Sequence, residues 1–175
     1  MAYLATGQDF ADALAGGPAA AVDDAPMLLS DPEALSPVIA EELRRLAPAR
    51  IVLLGGGEAL SPAVESAVAA LAPVGRLAGA DRYVTAAVIS ERVTGQVADT
   101  AYLATGTAFP DALTAVPAAI LAGAPLMLVA PDAPPATATE LARLGPARLV
   151  VLGGSDAISA EMIEAARSAA TAGAG

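Results

Sequence analysis

The stretch YLATGQDFADAL, residues 3–14, returns as YLATGTAFPDAL, residues 102–113. The register holds at an offset of 99 through PMLLS (26–30) and PLMLV (125–129). After one deleted residue it continues at 98, where LAPARIVLLGGGEALS (46–61) matches LGPARLVVLGGSDAIS (144–159). Self-similarity of this length and order means that one supersecondary unit is written twice. The chain must therefore fold as two small versions of the same thing, each with its own core.

Within each copy, short apolar runs alternate with longer helical ones. Residues 2–5, 26–29 and 50–54 read as strands, as do 101–104, 125–129 and 148–152. The second and third runs of each copy are apolar at consecutive positions, which suits a parallel strand covered on both faces. Strands alternating with helices of roughly ten to fifteen residues predict βαβ units with right-handed crossovers. The expected fold is α/β: two tandem small Rossmann- or flavodoxin-like units, each a three-stranded parallel sheet with helices on both faces. Crossovers leaving the first strand in opposite directions give the strand order 2-1-3. The first unit is expected over 1–75, the second over 76–170, and a flexible tail over 171–175.

The first helix of each copy, 10–22 and 109–121, contains Pro18 or Pro117, which predicts a kink or a break. Ser61 and Ser159 are placed to cap the helix that follows the third strand, and Pro62 suits a first helical position. Residues 76–93 read as a helix leading into the first strand of the second copy. No such segment precedes the first strand of the first copy, so the chain is expected to be a piece of a longer array. The surface this leaves on the first copy is expected to be covered by the second repeat or, preferably, by a neighbouring chain in a homo-oligomer.

Hydrophobic residues make up 55% of the chain and aromatics only 3%, so the core is built from Ala, Val, Leu and Ile. There is no Cys, His or Trp, and all nine basic residues are Arg. This composition removes Ser-His-Asp and Cys-His nucleophiles, Cys or His zinc sites, the phosphate-loop lysine and Schiff-base lysines. No cofactor is expected. A net charge of −10 disfavours nucleic acid and anionic membrane surfaces as partners, and no apolar run approaches the length that spans a bilayer.

Parallel sheets place ligands outside the C-terminal ends of their strands. The segments there are Thr6-Gly7 with Thr105-Gly106, Ser30-Asp31 with Val129-Ala130, and Gly55-Gly56-Gly57 with Gly153-Gly154-Ser155. Such turns, feeding helix N-termini, offer backbone N–H groups to an anion. The spacing is not the dinucleotide fingerprint, and a tight strand-to-helix turn asks for glycine on its own account. Gly154 is the position expected to need φ > 0 or a close approach. Asp12 and Asp111 fall in the first turn of their helices, where the dipole favours a carboxylate, and read as caps. Arg82 reads as an internal ion-pair partner of Asp111 or Asp81, with the Tyr83 ring packed beside it.

Taken together, RLAGADRYVTAAVIS, YLATGTAFPDALTAVPAA, PLMLV and LVVLGGSDAIS resemble the cell wall binding repeat of type 2, found in surface proteins and autolysins of Gram-positive bacteria. The match covers 76 to about 168 as one full repeat and 2 to about 70 as a repeat without its opening segment, with Phe10-Ala11-Asp12 in place of the usual FPD. The resemblance implies an exported, wall-located protein whose repeats are small α/β units, commonly three together about a pseudo-threefold axis. It also implies non-catalytic attachment to an anionic wall polysaccharide or teichoic-type polymer. In so acidic a chain the contact would rest on local donors: Arg76, Arg82, the Thr6-Gly7 and Thr105-Gly106 turns, the Gly55-Gly56 and Gly153 to Ser155 turns, or a bridging divalent cation. The rival readings are a small-molecule or nucleotide binder using the same strand ends, and a ligand-free spacer.

Overall fold

The computed structural model describes residues 1–95, 97–130 and 135–172. The first sheet contains β1 (Ala2–Thr6), β2 (Met27–Ser30), β3 (Ile51–Leu54) and β4 (Val74–Leu77), all parallel, in the order β2-β1-β3-β4. The second contains β5 (Thr100–Thr105), β6 (Leu126–Val129) and β7 (Arg148–Leu152), again parallel, in the order β6-β5-β7. The expected 2-1-3 order is present in both. The expectation of three strands per sheet fails for the first unit. Val74–Leu77, whose second half was read as helix, is extended and pairs along the outer edge of β3, with Arg76 opposite Leu53.

The alternation of side chains along β1 divides the first core in two. Ala2 and Leu4 enter a cluster with Leu43 of α2 (Pro37–Leu46) and Val64 and Val68 of α3 (Pro62–Ala69). Tyr3 and Ala5 enter the opposite cluster with Ala15 and Ala19 of α1 (Ala11–Val22) and Ala86 and Ile89 of α4 (Arg82–Thr94). In the second unit Ala101 and Leu103 pack with α6 (Pro135–Leu144) and α7 (Ala160–Ala172), and Ala104 with Ala112 and Ala115 of α5 (Phe109–Ala122). The expected tail at 171–175 is helical through Ala172; 173–175 lie outside the described residues.

Pro18 and Pro117 lie inside continuous helices, so the predicted break does not occur. The capping expectations fit: Ser61 Oγ accepts from the Val64 N–H, Pro62 opens α3, and Ser159 Oγ accepts from the Met162 N–H.

α4 joins the units. It begins only at Arg82, because the Asp81 carboxylate caps it by accepting from the Tyr83 and Val84 N–H groups. It packs on α1 of the first unit and on β6 and α6 of the second. Ion pairs fix both ends to the first unit: Arg82 to Asp9 at 2.9 Å and Arg92 to Asp23 at 2.5 Å. Burial, followed by the hydrogen bond to Asp23, pushes the Tyr3 hydroxyl up to about 12, so it donates to that carboxylate at 2.6 Å. Burial also raises Asp23, but the bonds from Arg92 and Tyr3 outweigh it and hold that carboxyl below its ordinary range. On the other side, Ser90 of α4 donates to the buried Glu140 of α6, which Arg143 grips with two bonds.

Two surfaces lack this cover. On the first unit, Met27 and Leu28 are half-buried and Leu29 is exposed, whereas their counterparts Leu126, Met127 and Leu128 are buried beside α4. On the second unit, Val150 and Leu152 are half-buried, whereas Val52 and Leu54 are buried behind β4 and α4.

Candidate functional site

The strand C-termini of the first unit open into a cavity of about 380 Å³, closed on one side by the segment that starts α4. Thr6 and Asp12 line it from the β1 side, Gly56 and Glu58 from the turn after β3, and Asp81 and Arg82 from α4. Four carboxylates border it, those of Asp9, Asp12, Glu58 and Asp81, against the single guanidinium of Arg82. That guanidinium is itself committed: it pairs with Asp9, donates to the Gly106 carbonyl at 2.7 Å and lies 5.6 Å from the Phe10 ring. The anticipated partners Asp111 and Asp81 are not the ones used. Asp81 caps its own helix, and the arginine instead ties Asp9 of the first unit to Gly106 of the second.

Asp12 does more than favour a helix dipole. Its carboxyl is packed against the turn after β3, so closely that a Cβ on Gly55 would collide with Asp12 Oδ2. Burial, with Asp9 adding to it and Arg82 opposing, pushes this carboxyl up to about 6. The second unit repeats the arrangement, with Asp111 Oδ2 2.7 Å from where a Cβ on Gly153 would stand. Gly55 and Gly153 have φ of +88° and +119°, the left-handed side that a Cβ disfavours. The requirement expected at Gly154 thus falls one residue earlier. Gly154, like Gly56, has ordinary φ and open space where a Cβ would go. The strand must reverse at the first glycine because an aspartate occupies the inside of the turn.

Arg76 stands away from this cavity's lining. Its guanidinium donates to the carbonyls of Gly55 (2.6 Å), Gly56 (3.0 Å) and Leu60 (3.0 Å) and pairs with Glu65 at 2.8 Å. Thr6 and Thr105 are buried, and each hydroxyl accepts from the N–H two residues on, Gln8 at 3.2 Å and Thr107 at 3.3 Å. Gly106 is buried beneath the Tyr83 ring, whereas Gly7 is exposed. The structure thus gathers Thr6, Asp12, Gly56 and Arg82 at one cavity and leaves Gly7, Gly153, Gly154 and Ser155 on exposed turns at the same end of the two sheets. The acid-lined character of the cavity was missed in the sequence. Asp9 and Glu58 carry no motif, and their meeting depends on three separate elements. Among the described residues no three acidic side chains are grouped so as to hold a metal ion, and no helix is long and apolar enough to cross a membrane.

Comparison with known proteins agrees with this architecture. The chain is 30% identical over 125 residues to the amidase enhancer of Bacillus subtilis, a match spanning 70% of this chain and 17% of that protein. Among solved structures, Cwp6 from Clostridium difficile superposes with a TM-score of 0.85 at 27% identity, over 95% of this chain and 27% of that one. Cwp8 from the same organism gives 0.86 at 25% identity, over 97% and 29%. The chain thus spans less than a third of each of these proteins. The model of cell wall binding domain 2 matches residues 1–65 and again 76–163, one match for each written copy, and the chain belongs to that family.

Proposed function

We propose that the chain is a non-catalytic attachment module that holds its parent protein to an anionic polymer of a Gram-positive cell wall, outside the cell. The observation that carries this reading is the repeated pair of exposed turns at one end of both sheets, in a chain that belongs to a wall-binding family. Gly7-Gln8 and Gly57, beside the half-buried Gly56, in the first unit, and Thr107 with Gly154-Ser155 in the second, present short polar backbone segments at the strand C-termini of the two sheets. A chain of net charge −10 gains nothing from bulk attraction to a polyanion, and both site arginines are engaged within the fold. Contact therefore rests on N–H and hydroxyl donors of these turns, at short range. The polymer passes over the turns, of which Gln8, Gly56 and Gly57 form the rim of the acid-lined cavity, and does not enter it.

Co-sedimentation with purified wall sacculi tests this. The chain should pellet with intact sacculi and still do so near ~0.5 M salt, where screening leaves only contacts within a few ångströms. Sacculi stripped of their anionic polymer should release it. Equal pelleting with stripped sacculi would assign the binding to peptidoglycan.

The cavity, with Asp12 raised to about 6, favours one second reading, a small-molecule binder. A thermal-shift series of nucleotides and sugar phosphates that raises the melting temperature, with no sedimentation, would select it.

A further inference from the structure

Tyr3, Val52 and Gly75 stand side by side across β1, β3 and β4, with Tyr3 and Val52 on the face that carries α4. A pocket of about 150 Å³ opens at this row, near the N-terminal ends of the strands, and is lined by Val52 and Leu77 as well as by Arg50 and Arg92. The Arg50 guanidinium takes the place that a side chain at position 75 would occupy. A Cβ on Gly75 would stand 2.2 Å from its Nη2 and 2.9 Å from its Cζ. Six of the nine arginines pair with a carboxylate; Arg50 is among the three that do not, and among the described residues its side chain has neither a hydrogen bond nor an ion pair. Arg92 donates to Asp23 through Nε and Nη2, which leaves its Nη1 edge outside that pair. Arg76 also borders the pocket, but its guanidinium is held at the far end of β3 by the Gly55 and Gly56 carbonyls. A guanidinium seated on strand backbone and left without an acceptor is one half of a preformed clamp for a planar oxyanion.

We propose that this pocket binds a free carboxylate carried on a small aliphatic body, of the kind that ends a short peptide. Charge selects a monoanion. The side chains of Arg50, Arg92 and Asp23 sum to one positive charge, which a carboxylate neutralises and a phosphate dianion exceeds. The lining selects the body, because Val52 and Leu77 offer methyl contacts beside the guanidinium groups. Size excludes a larger ligand: the volume is well below the roughly 300 Å³ at which pockets take a drug-sized molecule, so a terminal group enters and a polymer segment passing through does not. The site lies at the opposite end of the strands from the turns proposed for wall attachment, and its failure and that of the attachment reading are separate results. The second unit supplies an internal reference. Arg148 repeats Arg50, and Tyr102 pairs with Val150 as Tyr3 does with Val52. Among the described residues no strand lies along the outer edge of β7, so Arg148 has no counterpart of Gly75 to rest on.

The test titrates the complete chain with N-acetylalanine at low ionic strength and follows the arginine Nε–H and backbone amide resonances. Saturable shifts should appear at Arg50, Arg92 and Gly75, with a Kd on the order of millimolar for so small a ligand, while Arg148 stays in place. N-acetylalaninamide, which has the same shape without the charge, should move none of them. Arg50→Gln should weaken binding at least about fivefold. Gly75→Ala keeps both arginines and should weaken it as much, because the added Cβ displaces the flexible end of Arg50 and leaves the strand paired; unchanged amide positions elsewhere in the sheet verify the fold. No saturable shift at Arg50 and Arg92 overturns the site. Equal shifts at Arg148, or full binding by the Gly75→Ala protein, overturn the seat on β4. Tighter binding of inorganic phosphate than of N-acetylalanine overturns the carboxylate assignment.

Discussion

Asp12 is the residue whose chemistry departs furthest from what its place in the sequence implies. Because its carboxyl is raised to about 6 in the fold, the protonated form is the one the fold favours. The stability this provides is complete below the ordinary carboxylate pKa and is lost as pH rises through about 6. Asp12→Asn should therefore stabilise the protein at neutral pH, by about 2 kcal/mol once partial exposure is discounted, and flatten its melting temperature between about pH 4 and 7. Thermal melts of both proteins across that range check it, and an unchanged slope would mean that Asp12 is not the titrating group. The glycine turns give a second prediction. Gly55→Ala meets both the left-handed backbone and the Asp12 carboxylate, and should cost about 2–4 kcal/mol. Gly56→Ala has open space and ordinary φ, and should stay within about 0.5–1 kcal/mol in urea unfolding. Both glycines stand in the same run of the sequence, and the backbone conformation and the crowding by Asp12 and Ala59 at Gly55 separate them.

At the scale of elements, α4 is the piece on which the others depend. Glu140 is buried and accepts from Ser90 and Arg143. Glu140→Ala would leave Arg143 with only the Gly95 carbonyl and Ser90 with only the Ala87 carbonyl, at a cost of about 1–3 kcal/mol. Glu140→Gln keeps the shape and one acceptor and should lose about half of that. Arg82→Ala removes the Asp9 pair and the bond to Gly106 together. It should lower stability by about 1–2 kcal/mol, with coupling to Asp9→Ala in a double-mutant cycle. Most elements were legible in the sequence. Consecutive apolar residues at 51–54 and 126–129 mark covered parallel strands, and Ser61 with Pro62 marks a helix start. β4 was not legible, because Val-Gly-Arg-Leu lacks a strand's apolar pattern and its aptness comes from what Arg76 reaches across the edge of β3. Pro18 and Pro117 misled in the opposite direction: α1 and α5 continue without a break past one missing hydrogen bond each.

For the molecule as a whole, a helix shared between two sheets should make the two units unfold together. Ile89 of α4 is buried in the cluster that contains Tyr3 and Ala15 of the first unit and Leu128 of the second. Ile89→Ala should cost about 2–5 kcal/mol and lower the unfolding midpoints of both sheets equally; two separated transitions would show independent units. The repeat predicted a pair of similar sites, and the fold makes them unequal. The first unit's strand ends are enclosed by the start of α4 into an acid-lined cavity, whereas Gly153, Gly154 and Ser155 after β7 of the second unit are exposed. What the units retain in common is their exposed turns, on which the proposed attachment rests. The most direct measurement is backbone amide NMR of the chain titrated with the purified anionic wall polymer. Shifts should gather at Gly7, Gln8, Gly56, Gly57, Thr107, Gly154 and Ser155, with the strand N-termini near Arg50 and Arg148 undisturbed. Shifts confined to the cavity residues Asp12 and Thr85, or centred on the N-terminal ends of the strands, would contradict attachment through the turns.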